Sequence, residues 1–349
     1  MSTIEDAKTL LRTYDGAPVR IMEVCGTHTH EIFRLGIRSL LSDRIELISG
    51  PGCPVCVTPA DYIDEAVFLA LERQVTVCTF GDLVRVPGSE CSLAGARAQG
   101  ARVRIVYSPA DAETYAADHP GEEVVFLSVG FETTTPSSCI ALEHAVSDDI
   151  PNFSLLTANK TMPQAYRALK DSADAFLYPG HVHAILGTSL CRELTQEGVS
   201  GVVAGFTARE LITALAVIVT KLQTKEAFFV NCYPRVVTDE GSPSGRALID
   251  TYMEPCDSIW RGIGEIKGSG LRLRERYRDY DARVRYDVPP MIGRDHPLCR
   301  CADVLRGIRR PPQCPLFGRA CTPQDPKGAC MVSSEGACSA YYQYGGGIS

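Results

Sequence analysis

Short apolar runs alternate with segments of helical periodicity through the first two thirds of this chain of 349 residues, and that alternation limits the fold more than any other feature. Each apolar run has the length of a strand, and the intervening segments are long enough for helices. We predict four strands in the first part of the chain, at residues 19–24, 45–49, 75–80 and 103–106. Helices are predicted between them, as at residues 61–73 and 89–99. Such alternation is typical of a parallel sheet covered by helices.

A second series of the same kind follows the polar stretch at residues 118–123. It predicts strands at residues 124–129, 153–158, 175–177 and 199–204, and a buried helix over the apolar run at 211–220. From about residue 225 the sequence becomes rich in arginine, proline and finally cysteine. We therefore predict an α/β protein with two similar parallel-sheet domains, residues 1–120 and 121–225, flanking a cleft. A third, less regular region, residues 226–349, follows them.

The composition excludes some classes of partner. The net charge of −7 argues against nucleic acid, because phosphate binding needs a basic surface. The apolar run at residues 211–220 is too short to cross a bilayer, so no membrane partner is expected. The first residues lack the basic and apolar regions of a secretory signal, and we expect a cytoplasmic location. In that reducing compartment, 15 cysteines favour metal binding or redox chemistry over structural disulfides.

The run Gly-Pro-Gly-Cys-Pro-Val-Cys at residues 50–56 predicts a reactive dithiol. Cys53 and Cys56 are close enough in sequence to share a disulfide or a metal ion. Thr58 is predicted to cap the next helix, with Asp61 in the position of a capping-box carboxylate. The pair should therefore lie at a strand-to-helix turn, where the helix N-terminus favours the thiolate form.

Three further segments end a predicted strand and begin a helix, which is where ligands gather in open α/β sheets. Cys25 follows the first strand and is a candidate thiolate or soft-metal ligand, with His28 close enough to assist and His30 a weaker candidate. Glu132 lies in the second series and could orient a cysteine or accept a proton. His181 and its neighbour His183 follow a later strand and give only a weak signal.

Six cysteines fall within the forty residues 299–338, and this segment carries the strongest metal signature. Four cysteines are separated there by seven, nine and eight residues in a stretch rich in proline and glycine: Cys314, Cys321, Cys330 and Cys338. Such a segment can place four thiolates around a zinc ion or an iron–sulfur cluster. Zinc sites usually contain short Cys-x-x-Cys repeats, which this region lacks, so we predict a [4Fe–4S] cluster.

Five ordered motifs together resemble the HypD family of hydrogenase maturation factors. They are Cys-Gly-Thr-His at residues 25–28, Gly-Pro-Gly-Cys-Pro-Val-Cys at 50–56, Gly-Phe-Glu-Thr-Thr at 130–134, Pro-Gly-His-Val at 179–182, and the tail from Cys-Pro-Leu-Phe-Gly at 314–318 to Cys-Met-Val-Ser-Ser-Glu-Gly-Ala-Cys at 330–338. The resemblance covers nearly the whole chain. It implies a scaffold that works with the small protein HypC, on which an iron atom acquires two cyanides and one carbon monoxide. It further implies that HypE supplies cyanide as a thiocyanate, and that the Fe(CN)2CO group passes to the large subunit of a [NiFe]-hydrogenase.

The resemblance also assigns residues. Cys25 would bind the transient iron together with a HypC cysteine, while Cys53 and Cys56 would form a thiol/disulfide pair. The [4Fe–4S] ligands would be Cys314, Cys321, Cys330 and Cys338, which leaves Cys301 out. We expect His28 and Glu132 to orient groups around the iron, and the cluster and the dithiol to supply electrons for cyanide transfer.

Two other function classes fit parts of the sequence. A thioredoxin-like oxidoreductase would use Cys53 and Cys56 but would need neither Cys25 nor the cysteine-rich tail. A zinc-stabilised interaction scaffold would keep the tail but would have no redox pair. The chain also departs from the family pattern, because Thr207 and Ala208 stand where Glu-Pro is usual. The sequence does not distinguish a catalyst from a scaffold that only holds the iron.

Overall fold

The computed structural model describes residues 3–345, which form eleven strands. The strands are β1 (Val19–Glu23), β2 (Ile45–Ser49), β3 (Thr76–Thr79), β4 (Val103–Ile105), β5 (Val124–Ser128), β6 (Phe153–Thr157), β7 (Ala175–Pro179), β8 (Gly201–Ala204), β9 (Phe229–Asn231), β10 (Met253–Trp260) and β11 (Gly264–Leu273). All eight strands predicted from the apolar runs are present among them, with ends that differ by a few residues.

The described chain also contains fifteen α-helices, of which the first precedes β1. They are α1 (Ile4–Thr13), α2 (Gly26–Arg34), α3 (Pro54–Val57), α4 (Ala60–Leu71), α5 (Leu93–Ala98), α6 (Pro109–Asp118), α7 (Thr135–Ser147), α8 (Met162–Ala168), α9 (Gly180–Leu186), α10 (Ser189–Gln196), α11 (Ala208–Leu222), α12 (Pro243–Tyr252), α13 (Ala282–Arg285), α14 (Cys301–Leu305) and α15 (Ala337–Tyr344). Short 3-10 helices lie at Ile37–Leu40, Gly81–Arg85, Lys170–Ser172, Glu275–Tyr280, Pro311–Gln313 and Ala329–Met331.

Nine strands form two parallel sheets, which confirms the predicted α/β class. The first sheet has the order β2-β1-β7-β8-β9 and the second the order β4-β3-β5-β6. Every strand pair in both sheets is parallel. Their residues are almost continuously buried, as in β5 and β7, because helices cover both faces of each sheet.

The two sheets interleave along the chain. The first sheet takes β1 and β2 from the N-terminal part and β7 to β9 from beyond residue 170, whereas the second sheet combines β3 and β4 with β5 and β6. The chain leaves the first sheet after β2, builds the whole second sheet, and returns at β7. Strand membership therefore does not follow the predicted boundary at residue 120, because apolar runs show where strands lie but not which strands pair.

The C-terminal region begins with an antiparallel hairpin that the sequence analysis did not predict. Strands β10 and β11 pair between Met253 and Leu273, with a register shift between Cys256 and Ser258. Trp260 is fully buried, and its indole nitrogen donates a 2.8 Å hydrogen bond to the Ser269 hydroxyl. Beyond the hairpin the described chain contains only short helices and turns, as expected for a less regular region.

Helix α11 confirms the buried helix that was predicted over residues 211–220. Its apolar residues pack under the first sheet, and Leu211, Leu215 and Ile218 are fully buried. Thr207 and Glu210 form a capping box at its start. Within the described part of the chain, no helix combines the length and the apolar character that crossing a membrane requires.

Candidate functional site

Two loops meet at the carboxyl ends of the neighbouring strands β1 and β2. The amide of Gly26 donates a 3.0 Å hydrogen bond to the carbonyl of Gly52. A side chain on Gly52 would place its Cβ only 2.1 Å from the backbone nitrogen of Cys25, so only glycine allows this approach. The structure therefore brings the Cys25 loop into contact with the loop that carries Cys53 and Cys56.

Cys25 is the N-cap of α2, at the positive helix end where it was predicted. Its side chain is buried, and burial raises the pKa of the thiol to about 12. Loss of water contact thus outweighs the helix N-terminus and favours the neutral thiol in the metal-free chain. The nearest imidazole belongs to His181, whose Nε2 lies 3.8 Å from the Cys25 sulfur.

His28 lies beside this site without a hydrogen bond from its ring to Cys25. Its Nε2 donates a 3.0 Å hydrogen bond to the carbonyl of Gly205, and Nδ1 has no partner among residues 3–345. Burial lowers the pKa of His28 to about 3 and that of His181 to about 4, so both rings are neutral. Phe206 packs against both, with ring centroids 4.9 Å from His28 and 5.1 Å from His181.

Glu132 lies in the loop between β5 and α7, and its buried carboxyl group contacts the start of α8. One oxygen, Oε1, accepts a 2.8 Å hydrogen bond from the amide of Met162, while Oε2 has no partner in the described structure. Burial raises the pKa of Glu132 to about 7. The hydroxyl of Tyr166, one turn further along α8, is also buried and without a partner in this part of the chain. Glu132 therefore keeps its proton to a higher pH than an exposed glutamate does.

The dithiol lies at a strand-to-helix turn, but the helix is not the predicted one. Cys53 is the N-cap of the one-turn helix α3, and its sulfur accepts a hydrogen bond of 3.4 Å from the amide of Cys56. Thr58 ends α3 and donates its hydroxyl to the carbonyl of Pro54, so its predicted capping role is wrong. The next helix, α4, begins after Pro59 without a side-chain cap. Both cysteines of the pair are buried.

A series of interacting thiols connects the dithiol to the cysteine-rich tail. The Cys56 thiol interacts with those of Cys53 and Cys330. The sulfur of Cys330 lies 2.7 Å from that of Cys301, and it also interacts with Cys338. Cys301 was left out of the predicted cluster ligands, yet its sulfur lies beside that of Cys330, which is one of them.

The four predicted cluster ligands are buried in one apolar cluster, but they are not all in mutual contact. Cys330 and Cys338 interact directly, whereas the Cys321 sulfur accepts a 3.3 Å hydrogen bond from the amide of Lys327 and the Cys314 sulfur lies 4.0 Å from the carbonyl of Leu298. Within residues 3–345, no three histidine, cysteine, aspartate or glutamate side chains are placed so that they could hold one metal ion. Soft thiols in apolar surroundings nevertheless fit a [4Fe–4S] cluster, which bonds each cysteine to a different iron.

Glu335 and His181 contact the Cys25 loop, although the sequence analysis gave neither a role at this site. Glu335 lies in the tail between Cys330 and Cys338, and its carboxylate accepts a 2.6 Å hydrogen bond from the hydroxyl of Thr27. His181 belongs to a histidine pair that gave only a weak signal, and its partner His183 instead lies near Cys191, 3.6 Å from that sulfur. Their motifs were visible in the sequence, but only the fold shows that they reach Cys25.

Comparison with known proteins gives a consistent result. The HypD family model, described as "Hydrogenase formation hypA family", matches residues 2–345. The hydrogenase maturation factor HypD of Rhodobacter capsulatus is 44% identical over 339 residues, which cover 94% of this chain and 90% of the relative. The HypD of Escherichia coli K12 is 44% identical over 333 residues, covering 94% and 89%. A hydrogenase expression/formation protein HupD from Azotobacter chroococcum is 42% identical over 338 residues, covering 93% and 89%. This chain belongs to the HypD family of hydrogenase maturation factors.

Proposed function

We propose that this chain holds an iron atom at Cys25 while the iron acquires two cyanides and one carbon monoxide, with a HypC-type protein supplying a second cysteine. A HypE-type protein would deliver each cyanide, and the finished Fe(CN)2CO group would pass to a hydrogenase large subunit. The hydrogen bond between Gly26 and Gly52 carries this proposal, because it sets the candidate iron ligand beside the loop of the dithiol.

Cys25 suits the role of anchor. Thiolate is a soft ligand that stabilises an electron-rich, low-spin iron, and a neutral thiol must lose its proton when the metal binds. The neutral rings of His28 and His181 and the aromatic ring of Phe206 enclose this position. The surroundings therefore exclude bulk water and leave the ligand set to be completed by the partner protein.

Cys53 and Cys56 suit the role of electron donor. A cyanide delivered as an electrophilic thiocyanate carbon needs two electrons to arrive as a ligand. Two thiols release two electrons and two protons when they become a disulfide, and these two lie in one helical turn, with Cys53 as the N-cap of α3 and Cys56 inside it. A [4Fe–4S] cluster bound by Cys314, Cys321, Cys330 and Cys338 would supply one-electron transfer. The interaction of Cys56 with Cys330 supports a route between the two.

The contacts around Cys25, Cys53 and Cys56 do not favour the two alternative functions. A general thiol–disulfide oxidoreductase must admit the disulfides of other proteins, but Cys53 and Cys56 are 2% and 1% exposed. A zinc-stabilised scaffold would explain the tail but not the contact between the Cys25 loop and the dithiol loop. Iron and acid-labile sulfide analysis after anaerobic purification separates zinc from an iron–sulfur cluster.

Infrared spectroscopy of the chain purified with its HypC-type partner tests the proposal directly, because cyanide and carbon monoxide absorb where protein does not. We expect these bands in the wild-type complex and their loss in Cys25→Ala. Cys232→Ala, at a half-buried cysteine outside the site, should keep them. Persistence of the bands in Cys25→Ala would overturn the proposed iron site.

A further inference from the structure

Glu23 is a buried charged residue at the carboxyl end of β1, and the function proposed above gives it no role. Its Oε1 accepts a 2.6 Å hydrogen bond from the guanidinium of Arg38. Its Oε2 accepts hydrogen bonds from the hydroxyls of Thr29, at 2.7 Å, and Ser49, at 3.1 Å. The backbone carbonyl of Glu23 also accepts a 2.9 Å hydrogen bond from the amide of Gly50. One buried residue therefore holds three separate segments of the chain.

Two of these segments carry the cysteines of the candidate site. Thr29 lies in the first turn of α2, and its amide donates a 3.1 Å hydrogen bond to the carbonyl of Cys25. Ser49 is the last residue of β2 and directly precedes the loop that leads to Cys53. Glu23 thus connects the helix of the candidate iron ligand with the strand that leads to the dithiol, in addition to the contact between the two loops described above.

The ion pair between Glu23 and Arg38 is better suited to fixing geometry than to adding stability. Replacing a buried ion pair by apolar side chains of similar volume is often neutral or stabilising. Nε of Arg38 also has no hydrogen-bond partner in the described chain, which adds to the cost of the pair. The guanidinium is nevertheless fixed, because it donates to the carbonyl of Leu47 at 2.7 Å and lies 4.4 Å from the ring centre of Phe33. Since charge-assisted hydrogen bonds are strong and directional, the pair sets how β2 and α2 lie relative to Glu23.

We propose that Glu23 is a positioning residue, which fixes the separation and orientation of the Cys25 and Cys53 sulfurs by holding the segments that carry them. Glu23 does not touch the iron in this arrangement, because its carboxylate oxygens are already bound by the three side-chain donors named above. The alignment would bring each cyanide that is delivered to the iron within reach of the dithiol. This benefit to the iron rests on the proposed function, whereas the alignment of the two cysteine segments does not.

Alkylation rates of single cysteines in the full-length, metal-free chain test the alignment and are read by mass spectrometry. Thr29→Val removes one hydroxyl and keeps the branched shape. We expect Cys25 to react about tenfold faster in this variant, as loss of one hydrogen bond to a charged group allows, with a smaller change at Cys53. Ser49→Ala should affect Cys53 more than Cys25, and Glu23→Gln should accelerate both. Unchanged rates of both cysteines in Glu23→Gln would overturn the proposal.

Two controls separate alignment from a general loss of stability. Thr76→Val breaks a similar hydrogen bond between a hydroxyl and a carboxylate, that of Thr76 with Glu122, and should leave both rates unchanged. Cys139, buried in α7, is the internal reference in every variant. Acceleration of Cys139 by the same factor as Cys25 and Cys53 would indicate ordinary unfolding and would also overturn the proposal.

Infrared spectroscopy tests the consequence for the iron. In Glu23→Gln purified with the HypC-type partner, we expect the cyanide and carbon monoxide bands to shift or to weaken, whereas Thr76→Val should keep them. Bands of wild-type position and intensity in Glu23→Gln would refute the positioning role. Absence of bands from the wild-type complex would instead refute the proposed function, and the alkylation rates, which need no iron, would still decide whether Glu23 aligns the two cysteines.

Discussion

Burial controls the chemistry of the individual site residues. Cys25, His28 and Glu132 all lie where charge is unfavourable, so the thiol and the carboxyl keep their protons to higher pH and the imidazole loses its proton at lower pH. Cys25 and His28 are therefore uncharged near neutral pH in the metal-free chain, whereas Glu132, with a pKa of about 7, is partly ionised.

Glu132→Gln should change how stability depends on pH. Burial raises the pKa of Glu132 from 4.5 to about 7, so the folded chain holds this proton more tightly than the unfolded chain. The resulting stabilisation is fully present below about pH 4.5 and is lost as the pH rises to about 7. At about 1.4 kcal/mol per pKa unit, the wild type should lose up to roughly 3 kcal/mol relative to the variant across that range.

Urea denaturation of both proteins at pH 5 and pH 8 measures this difference. Glutamine can still accept the hydrogen bond from Met162, so the comparison isolates the proton. The exposed Glu226→Gln is the control and should follow the wild type at both pH values. Parallel pH profiles for Glu132→Gln and the wild type would contradict the prediction.

Gly52→Ala should open the Cys25 site. The added methyl group would lie 2.1 Å from the nitrogen of Cys25, so one of the two loops must move. Overpacking of this kind costs typically about 1–3 kcal/mol. We expect a lower thermal midpoint and faster alkylation of Cys25, both measured on the purified chain. Gly121→Ala is the control and should change neither the thermal midpoint nor the alkylation rate, since its methyl group would meet no described atom within 4 Å. Unchanged alkylation of Cys25 in Gly52→Ala would show that the close approach of the two loops is unimportant.

Helices and strands differ in how readily the sequence reveals them. The eight apolar runs predicted strands correctly because strands buried on both faces consist almost wholly of apolar residues. Strand β10 was not predicted because half-buried and exposed residues alternate between its two buried ends, and its sequence includes Pro255 and charged residues. The start of α4 was misplaced because Thr58 is the C-cap of the separate one-turn helix α3.

Thr207, which departs from the family pattern, is the N-cap of α11. Threonine is a good N-cap residue, so the chain tolerates it at this position. The Thr207 hydroxyl accepts a hydrogen bond from the amide of Glu210, and the Glu210 carboxylate accepts one from the amide of Thr207. Thr207→Ala should therefore destabilise the protein by about 1 kcal/mol, as loss of an N-cap does. Thr114→Ala, an exposed substitution within α6, should not destabilise it.

Thermal unfolding of the two threonine variants measures this contrast, and the infrared bands proposed above measure the site. We expect the bands to persist in Thr207→Ala, because residue 207 is exposed and its hydroxyl bonds only within the helix cap. Loss of the bands without loss of stability would mean that residue 207 acts on the iron site after all.

The interleaving of the two sheets explains what no local pattern could predict. Cys25 and the dithiol follow adjacent strands, so their meeting could be expected once β1 and β2 were known to pair. His181 reaches Cys25 only because β7 pairs with β1 across more than 150 residues of sequence. The contacts of Cys330 with Cys56 and Cys301 likewise depend on where an irregular tail packs, which neither spacing nor periodicity encodes.

Residues 1–120 should not fold as an independent unit. That fragment contains β1 and β3 but lacks β7 and β5, which pair with them on one side. It would expose apolar strands such as β3, whose residues are all buried in the intact chain, along two open sheet edges. We expect the fragment to show no cooperative thermal transition by circular dichroism and poor dispersion in its NMR spectrum.

Co-expression of residues 1–120 with residues 121–349 provides the matched control, because it cuts the same chain at the same exposed turn. A break in an exposed turn leaves every strand pair intact, so the two pieces should assemble and unfold cooperatively. Because β1 can then pair with β7 again, alkylation of Cys25 should also be as slow as in the uncut chain. A cooperative transition of residues 1–120 alone would show that pairing across residue 120 is dispensable, and the N-terminal segment would then be a domain in its own right.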